Sequence, residues 1–176
     1  MRYVRVHWRS EFPGLVSYER FIELIPSALV ALCAYLQSLL SACSGINFLD
    51  STPLRVCHNA RIASHKVFAG LARRGKCSIG WFFGFKLHLV VNQKAELLSV
   101  RITPGNTHDT KPVKKLLGRL FGKVYADKGY LSQPLSQSLL EELGRRLLTR
   151  RRKNMDNVLM LLEDKILLKK RGLSIV

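Results

Sequence analysis

The chain has 176 residues, 47% of them apolar, which is enough for one domain with a sizeable core plus a few extra helices. Its 29 Lys and Arg against 12 Asp and Glu give a formal net charge of +17. This surplus indicates a polyanionic partner, with nucleic acid considered first and an anionic membrane second. Four dispersed cysteines do not have the density of a disulfide scaffold and favour reduced thiols in a cytosolic protein.

The first 44 residues predict a helical segment. Ser17 is a suitable N-cap, and apolar residues recur at helical spacing over residues 18–41, with Pro26 as a kink or break. Residues 24–40 carry no charge, so a membrane span is an alternative. Polar residues interrupt this run, and it is shorter than the roughly 20 apolar residues that a span needs. We therefore predict a buried helix.

Two short apolar runs each end in an aspartate. The runs INFLD (residues 46–50) and KVYAD (residues 123–127) are too short for helices and rich in β-branched and aromatic residues, and turn-forming residues follow each. We predict two buried strands that end at Asp50 and Asp127. Ligands bind at the carboxyl ends of such strands in open α/β sheets. Capping of the following turn explains either aspartate alone, but the pair favours a site.

A hairpin is predicted over residues 81–102, after a long basic loop at residues 51–79. In its first strand, alternation places Lys86 and His88 on one face and five apolar residues on the other. The apolar residues are Phe83, Phe85, Leu87, Leu89 and Val91.

The rest of the chain predicts alternating helices and strands. Thr107 or Asp109 is the expected N-cap of the next helix, and Gly144 is expected to end the one after it. The predicted bounds are a helix from residue 108 or 110 to 120, a strand at 123–127, a helix at 131–143, a strand at 146–149 and a helix at 157–170. This order predicts an α/β fold, with helices on both faces of a mixed sheet in which the strands ending at Asp50 and Asp127 are adjacent and parallel.

Two carboxylates at one sheet edge repel each other, and a bound cation relieves that repulsion. Mg²⁺ takes carboxylate oxygens and keeps water and phosphate oxygens as its remaining ligands, and Mn²⁺ prefers similar donors. With two ions roughly 3.5–4 Å apart, one activates the attacking oxygen and the other stabilises the leaving oxygen of a phosphoryl displacement. Asp50 and Asp127 on a basic protein therefore point to phosphodiester chemistry. A zinc site built from Cys57, His58, His65 and Cys77 matches no recurring ligand spacing.

Basic residues cluster in residues 55–76 and 145–153, each with six Lys or Arg and no acid. We expect these segments to contact the DNA backbone without reading its sequence. The predicted contacts are Arg55, Arg61, Lys66, Arg73, Arg74, Lys76, Lys128, Arg150, Arg151, Arg152 and Lys153. Trp81, Phe82 and Tyr130 are candidates for stacking on an exposed base, although aromatic residues in strands more often belong to the core.

Other acidic and imidazole groups have structural explanations. Glu163 and Asp164 are expected on a solvated face of the last helix, where Lys165 or Lys169 is available for local pairing. Solvated helix faces also explain the two neighbouring glutamates at residues 141–142. His88 and His108 are candidates to approach the site, but such histidines are more often structural.

Several ordered motifs resemble one family. They are NFLDSTPL (47–54), GWFFGFKLH (80–88), TPGN (103–106), HD (108–109), KPV (111–113) and ADKGY (126–130). Their order and spacing resemble the catalytic domain of DDE transposases of bacterial insertion sequences, most closely the group named after insertion sequence 982. The resemblance extends over nearly the whole chain, from about residue 12.

The resemblance implies a ribonuclease H-like fold over residues 45–176, after a partial helical segment at residues 1–44. It implies Mg²⁺- or Mn²⁺-dependent cleavage and joining of double-stranded DNA by a homo-oligomer at the element ends, in the bacterial cytoplasm and near the nucleoid, without a membrane. Asp50 and Asp127 correspond to the first and second catalytic, metal-binding aspartates.

The family's third acid is a glutamate that follows a basic run like the one at residues 169–171. Residues 172–176 contain no glutamate, so the resemblance implies a chain truncated at both ends and inactive as an enzyme. A non-catalytic basic DNA-binding remnant is the alternative.

Overall fold

The computed structural model describes residues 2–78, 80–150, 155 and 159–174. The chain divides into two compact units, residues 1–39 and residues 40–176, which are described separately.

The first unit contains helices α1 (Arg2–His7) and α2 (Tyr18–Ser38). The predicted cap is confirmed, because the side chain of Ser17 accepts a hydrogen bond of 3.2 Å from the backbone amide of Arg20. Pro26 lies inside α2 without ending it.

The prediction that this helix is buried is wrong, because none of the residues of α2 is buried. Apolar spacing predicts the helix itself, whereas burial depends on a second element that covers its apolar residues. Among the described residues, α2 is the one helix long and apolar enough to cross a membrane. That test uses length and composition alone, and core helices and signal sequences pass it as well.

The second unit is built on a six-stranded mixed sheet. Its strands are β1 (Ile46–Cys57), β2 (Arg73–Cys77), β3 (Gly80–Val91), β4 (Leu97–Pro104), β5 (Lys123–Ala126) and β6 (Arg146–Thr149). The strand order is β2-β3-β1-β5-β6, and β4 also pairs with β3. Strands β1, β5 and β6 run parallel, whereas β3 is antiparallel to β1, β2 and β4. The predicted α/β class is confirmed, and this mixed sheet is compatible with a ribonuclease H-like fold.

Strand β1 is longer than the sequence pattern predicts. It does not end at Asp50 but continues to Cys57, because β3 pairs with it from Phe48 opposite Val91 as far as Cys57 opposite Phe83. The turn-forming residues 51–53 stay extended because their backbone has a partner strand. The predicted loop at residues 51–79 is likewise wrong, since it contains the end of β1, a 3₁₀ turn and β2.

Helices pack on both faces of the sheet. They are α3 (Val113–Leu117), α4 (Gln133–Leu143) and α5 (Leu162–Ser174). Residues of α3 and α4 form one core with Leu49 and Val124, whereas Leu168 of α5 belongs to a second core with Phe48 and Tyr125. Since successive side chains of a strand point to opposite faces, the two cores mark the two faces.

The structure corrects two helix starts and confirms one helix end. Helix α3 is shorter than predicted, and Pro112 precedes it without a side-chain cap, so neither Thr107 nor Asp109 caps it. Helix α4 ends as predicted at Gly144, where a left-handed φ of 63° suits glycine. The last helix begins at Leu162, residues 159–161 are not helical, and the predicted start at residue 157 lies outside the described residues.

Candidate active site

The two aspartates lie at neighbouring positions on parallel strands. The parallel register pairs β1 with β5 as far as Leu49 opposite Ala126, so Asp50 is the next residue of β1 and Asp127 directly follows the end of β5. Neighbouring strands are roughly 4.8 Å apart, which brings the two backbones close together at this edge. Both aspartates are half-buried. The predicted adjacency of the two parallel strands is therefore confirmed.

The side chains of Asp50 and Asp127 differ in the hydrogen bonds that they make to the following backbone. The Oδ1 atom of Asp50 accepts a bond of 2.9 Å from the amide of Ser51. Asp127 precedes a 3₁₀ turn at Lys128–Tyr130, and its side chain makes no capping bond to that turn. The alternative explanation, that the Asp127 side chain is there to cap the following turn, therefore does not hold.

Strand alternation places both aspartates on the face against which α5 packs. Asp50 follows Phe48 by two residues and Asp127 follows Tyr125 by two, and the rings of Phe48 and Tyr125 lie 5.6 Å apart in the α5 core. We therefore take this edge, on this face, as the centre of the candidate site.

Helix α5 runs from the amino end of β5 towards that edge. Near its start, the carboxylate of Asp164 accepts a hydrogen bond of 2.7 Å from Lys123, the first residue of β5. One turn later, the carbonyl of Leu168 accepts a bond of 3.1 Å from Arg150, which follows the last residue of β6. The helix direction brings the residues after Leu168 towards the carboxyl ends of the strands.

Asp164 is a buried structural acid, and its prediction as a solvated residue is wrong. It is 1% exposed and accepts bonds of 2.7 Å from both Lys123 Nζ and Tyr125 Oη. Burial acts to raise the pKa of Asp164, but the bonds from Lys123 and Tyr125 outweigh it and hold the pKa below its ordinary value. Burial and then the bond to Asp164 raise the pKa of Tyr125.

The burial of Asp164 could have been predicted from the helical spacing of its neighbours. Asp164 shares a helical face with Leu167 and Leu168, three and four residues later, and these leucines face the second core. Glu142, in contrast, is exposed as predicted and pairs with Lys114 at 2.7 Å.

A second polar cluster lies beside the turn that follows Asp127. Lys86 donates bonds of 2.8 Å to Asp109 Oδ1 and 3.0 Å to the carbonyl of Thr107. A Cβ atom on Gly129 would lie 3.9 Å from Asp109 Oδ2, so Asp109 approaches this turn. Sequence reasoning missed the ion pair, because the two residues are 23 positions apart and only the packing of β3 joins them.

His88 lies on the same face of the sheet as Lys86 and has a structural role. It is fully buried, and its Nε2 atom lies 2.8 Å from Thr103 Oγ1. Burial lowers the pKa of His88, the nearby Asp109 carboxylate acts against this, and Lys86 and Arg101 add to it. The two faces of β3 therefore differ from the expectation. The face that carries Lys86 and His88 is the more buried one, although the five apolar residues Phe83, Phe85, Leu87, Leu89 and Val91 lie on the opposite face.

The predicted DNA contacts are at the surface wherever the structure describes them. The exposed residues are Arg55, Arg61, Lys66, Arg73, Arg74, Lys76, Lys128 and Arg150. Arg151, Arg152 and Lys153 lie outside the described residues. In the same basic segment Arg145 is buried, and its guanidinium donates to the carbonyls of Leu120, Leu143 and Gly118, so it holds loops together and does not face a ligand.

No group of three or more His, Cys, Asp or Glu side chains converges on a metal position within the described part of the chain. Asp109 and Asp164 therefore do not complete a site with Asp50 and Asp127. The residues Cys57, His58, His65 and Cys77 do not form a zinc cluster.

Comparison with known proteins identifies one family. Residues 40–175 match the family described as "Transposase DDE domain". This match covers all six strands and the last three helices, including both aspartates of the candidate site. A search of the curated proteins found no match.

Proposed function

The chain belongs to the transposase DDE domain family, and we propose that it is a metal-dependent transposase domain that cleaves and joins DNA strands at the ends of an insertion sequence. Family membership supports a role in DNA transposition and implies a DNA substrate. One observation carries the proposal for the site. The register between β1 and β5 places Asp50 and Asp127 side by side at the carboxyl edge of the sheet.

The donor set at this edge fits a hard divalent cation. Two half-buried carboxylates offer oxygen ligands, and Mg²⁺ and Mn²⁺ take such ligands together with water and phosphate oxygens. When bound, such ions stabilise negative charge on the phosphate oxygens. Asp50 and Asp127 would hold the cation, and the amide of Ser51 orients the Asp50 carboxylate by donating a hydrogen bond to it.

The exposed cations hold the nucleic acid around this edge. Lys128 directly follows Asp127 and is exposed, so it is placed to contact a phosphate of the strand that enters the site. The basic residues of β1 and β2 extend the positive surface away from the edge. Backbone contacts of this kind position DNA and do not read its sequence.

We place the chain in the insertion-sequence-982 group, acting as a homo-oligomer on element ends in the bacterial cytoplasm. The motifs at residues 47–54, 80–88 and 126–130 support this assignment. The oligomer is tested by comparing the mass of the protein in solution with and without element-end DNA. A monomer in both conditions contradicts it.

A binding function without catalysis is the second candidate. It is favoured because the described residues bring together only two carboxylates at the edge, and strand transfer in this family also uses a third. The two candidates differ in one assay. Specific nicking of element-end DNA by this chain with Mg²⁺ or Mn²⁺ rejects the second candidate.

Metal binding tests the site independently of turnover. We expect Mn²⁺, followed by its electron paramagnetic resonance signal, to bind the protein, and Asp50→Asn or Asp127→Asn to weaken that binding at least 10-fold by removing a charged ligand. Any nicking should fall at least 100-fold in either variant, while affinity for duplex DNA stays within about 2-fold.

The matched control is Glu141→Gln, which removes an exposed carboxylate of α4 far from the edge. It should leave Mn²⁺ binding unchanged. Equal Mn²⁺ affinity in wild type and in both aspartate variants would show that these residues do not hold a metal.

A further inference from the structure

Trp81 is the one aromatic residue of the three stacking candidates that the fold leaves accessible. It is 57% exposed, whereas Phe82 and Tyr130 are 1% and 2% exposed and belong to the interior. The exposed indole therefore offers a flat aromatic surface on which another ring can stack.

The charge next to Trp81 is positive. The register of β2 and β3 places Lys76 opposite Trp81, and the Nζ atom of Lys76 lies over the indole, 5.8 Å from the ring centroid. Arg74 is opposite Phe83, two residues further along the same face. An aromatic ring flanked by cations complements a nucleic acid strand, which combines flat bases with phosphates.

A cleft opens beside the indole. It has a volume of about 250 Å³ and is lined by residues 55–59, Trp81 and Phe82. Its wall is fixed to β3, since the side-chain amide of Asn59 donates a bond of 3.0 Å to the carbonyl of Trp81. Arg55 adds a third cation at this end of the sheet. The cleft is of a size for a single ring system and is too small for a folded peptide.

Trp81 and the two aspartates lie on the same face of the sheet. Leu89 pairs with Asp50, and alternation places Trp81, eight residues earlier on β3, on the face of Leu89. Eight strand residues span roughly 26 Å at about 3.3 Å each. A strand of duplex DNA rises about 3.4 Å per nucleotide and an extended unpaired strand rises more, so this separation corresponds to at most roughly eight nucleotides.

We propose that Trp81, with Lys76 and the adjoining cleft, stacks an unpaired base of a DNA strand that extends from the aspartate edge. This inference rests on the proposed function and specifies its substrate as DNA that has an unpaired base within about eight nucleotides of the reacting phosphate. Trp81 supplies the ring surface, and Lys76, Arg74 and Arg55 hold the flanking phosphates.

The test compares single-stranded and duplex oligonucleotides of the same length, such as a 15-nucleotide thymidine strand and a 15-base-pair duplex, with the full chain in EDTA. Trp81→Ala is expected to weaken single-strand binding about 5- to 100-fold and to change duplex binding less than about 2-fold. Trp81→Phe, which keeps a ring, should restore most of the single-strand affinity. The matched control is Trp8→Ala, since Trp8 is the other tryptophan and is also exposed.

A second measurement does not depend on the stability of the alanine variant. In Trp8→Phe protein, Trp81 is the only tryptophan, and stacking of a base should quench its fluorescence as the thymidine strand saturates the protein. Unchanged emission at saturation, or single-strand binding that is insensitive to Trp81→Ala, overturns the stacking site. If wild type binds neither oligonucleotide, the proposed DNA function itself fails.

Discussion

Carboxylates lie at both ends of strand β5, in contrasting surroundings. At the amino end, Asp164 is 1% exposed and is held by a lysine and a tyrosine hydroxyl. At the carboxyl end, Asp127 and its neighbour Asp50 are half-buried at the edge of the sheet. An acid enclosed by a cation and a hydroxyl fastens a helix to a sheet, whereas acids at a strand edge remain within reach of solvent and ligands. Burial, more than residue type, separates a carboxylate enclosed by the fold from one that solvent reaches.

The largest effect on stability is expected at the amino end. Asp164→Ala leaves the ammonium of Lys123 and the hydroxyl of Tyr125 without their partner, which costs about 2–4 kcal/mol of unfolding free energy. Urea unfolding measures this loss. Glu163→Ala, at the exposed neighbouring position, should change the unfolding free energy by less than about 1 kcal/mol. Equal losses in the two variants would remove the distinction between an enclosed and an exposed carboxylate.

Two arginines, the buried Arg145 and the exposed Arg74, allow the same comparison between an enclosed and an exposed charge. Arg145→Gln should lower the unfolding free energy by about 1–3 kcal/mol, because its guanidinium bonds to backbone carbonyls in the interior. Arg74→Gln should leave stability unchanged and reduce the salt dependence of duplex binding by about 0.9 in log–log slope. Urea titration and DNA binding at several salt concentrations separate the two outcomes. A reduced slope in Arg145→Gln would contradict the structural role of Arg145.

The smallest effect is a pH dependence of stability caused by His88. Because its pKa is lowered in the folded protein, the unfolded chain binds more protons below about pH 6.5, and the unfolding free energy should fall as the pH drops from 7 to 5. Asp164 has a lowered pKa as well, but its contribution is present above about pH 4 and is lost only below it. The measurement is urea unfolding across this range.

The control for that measurement is His88→Gln, which keeps hydrogen-bonding capacity and does not titrate. Its unfolding free energy should vary less between pH 7 and pH 5 than that of wild type. An identical pH profile in the two proteins would assign the dependence to other groups.

Local patterns predicted the elements whose hydrogen bonds and caps are close in sequence. The hairpin of β3 and β4, strand β6 and the end of α4 at Gly144 all lie close to their predicted positions. The adjacency of β1 and β5 was also predictable, since the runs at residues 46–50 and 123–127 are both short and apolar. In each case the signal is a periodicity or a single residue with a strong backbone preference.

Predictions failed where a partner distant in sequence decides the outcome. Strand β1 continues past Asp50 because β3 pairs with it, and residues 51–53 do not form a turn in the presence of that partner. Helix α2 was predicted to be buried from its composition, although burial depends on an element that covers it. Asp109 was interpreted as a helix cap, but Lys86 reaches it from β3.

By itself, the sequence determined the α/β class, a strongly basic chain and the adjacency of the two parallel strands that carry or precede Asp50 and Asp127. Residue type, charge and short-range periodicity contain this information because they act within a few residues. Only the tertiary structure decided that Asp164 and Arg145 are interior residues, that Asp109 pairs with Lys86 and that Trp81 remains accessible. Burial and charge pairing depend on which distant segments pack together, and a carboxylate or an indole has the same local pattern whether its surroundings are protein or water.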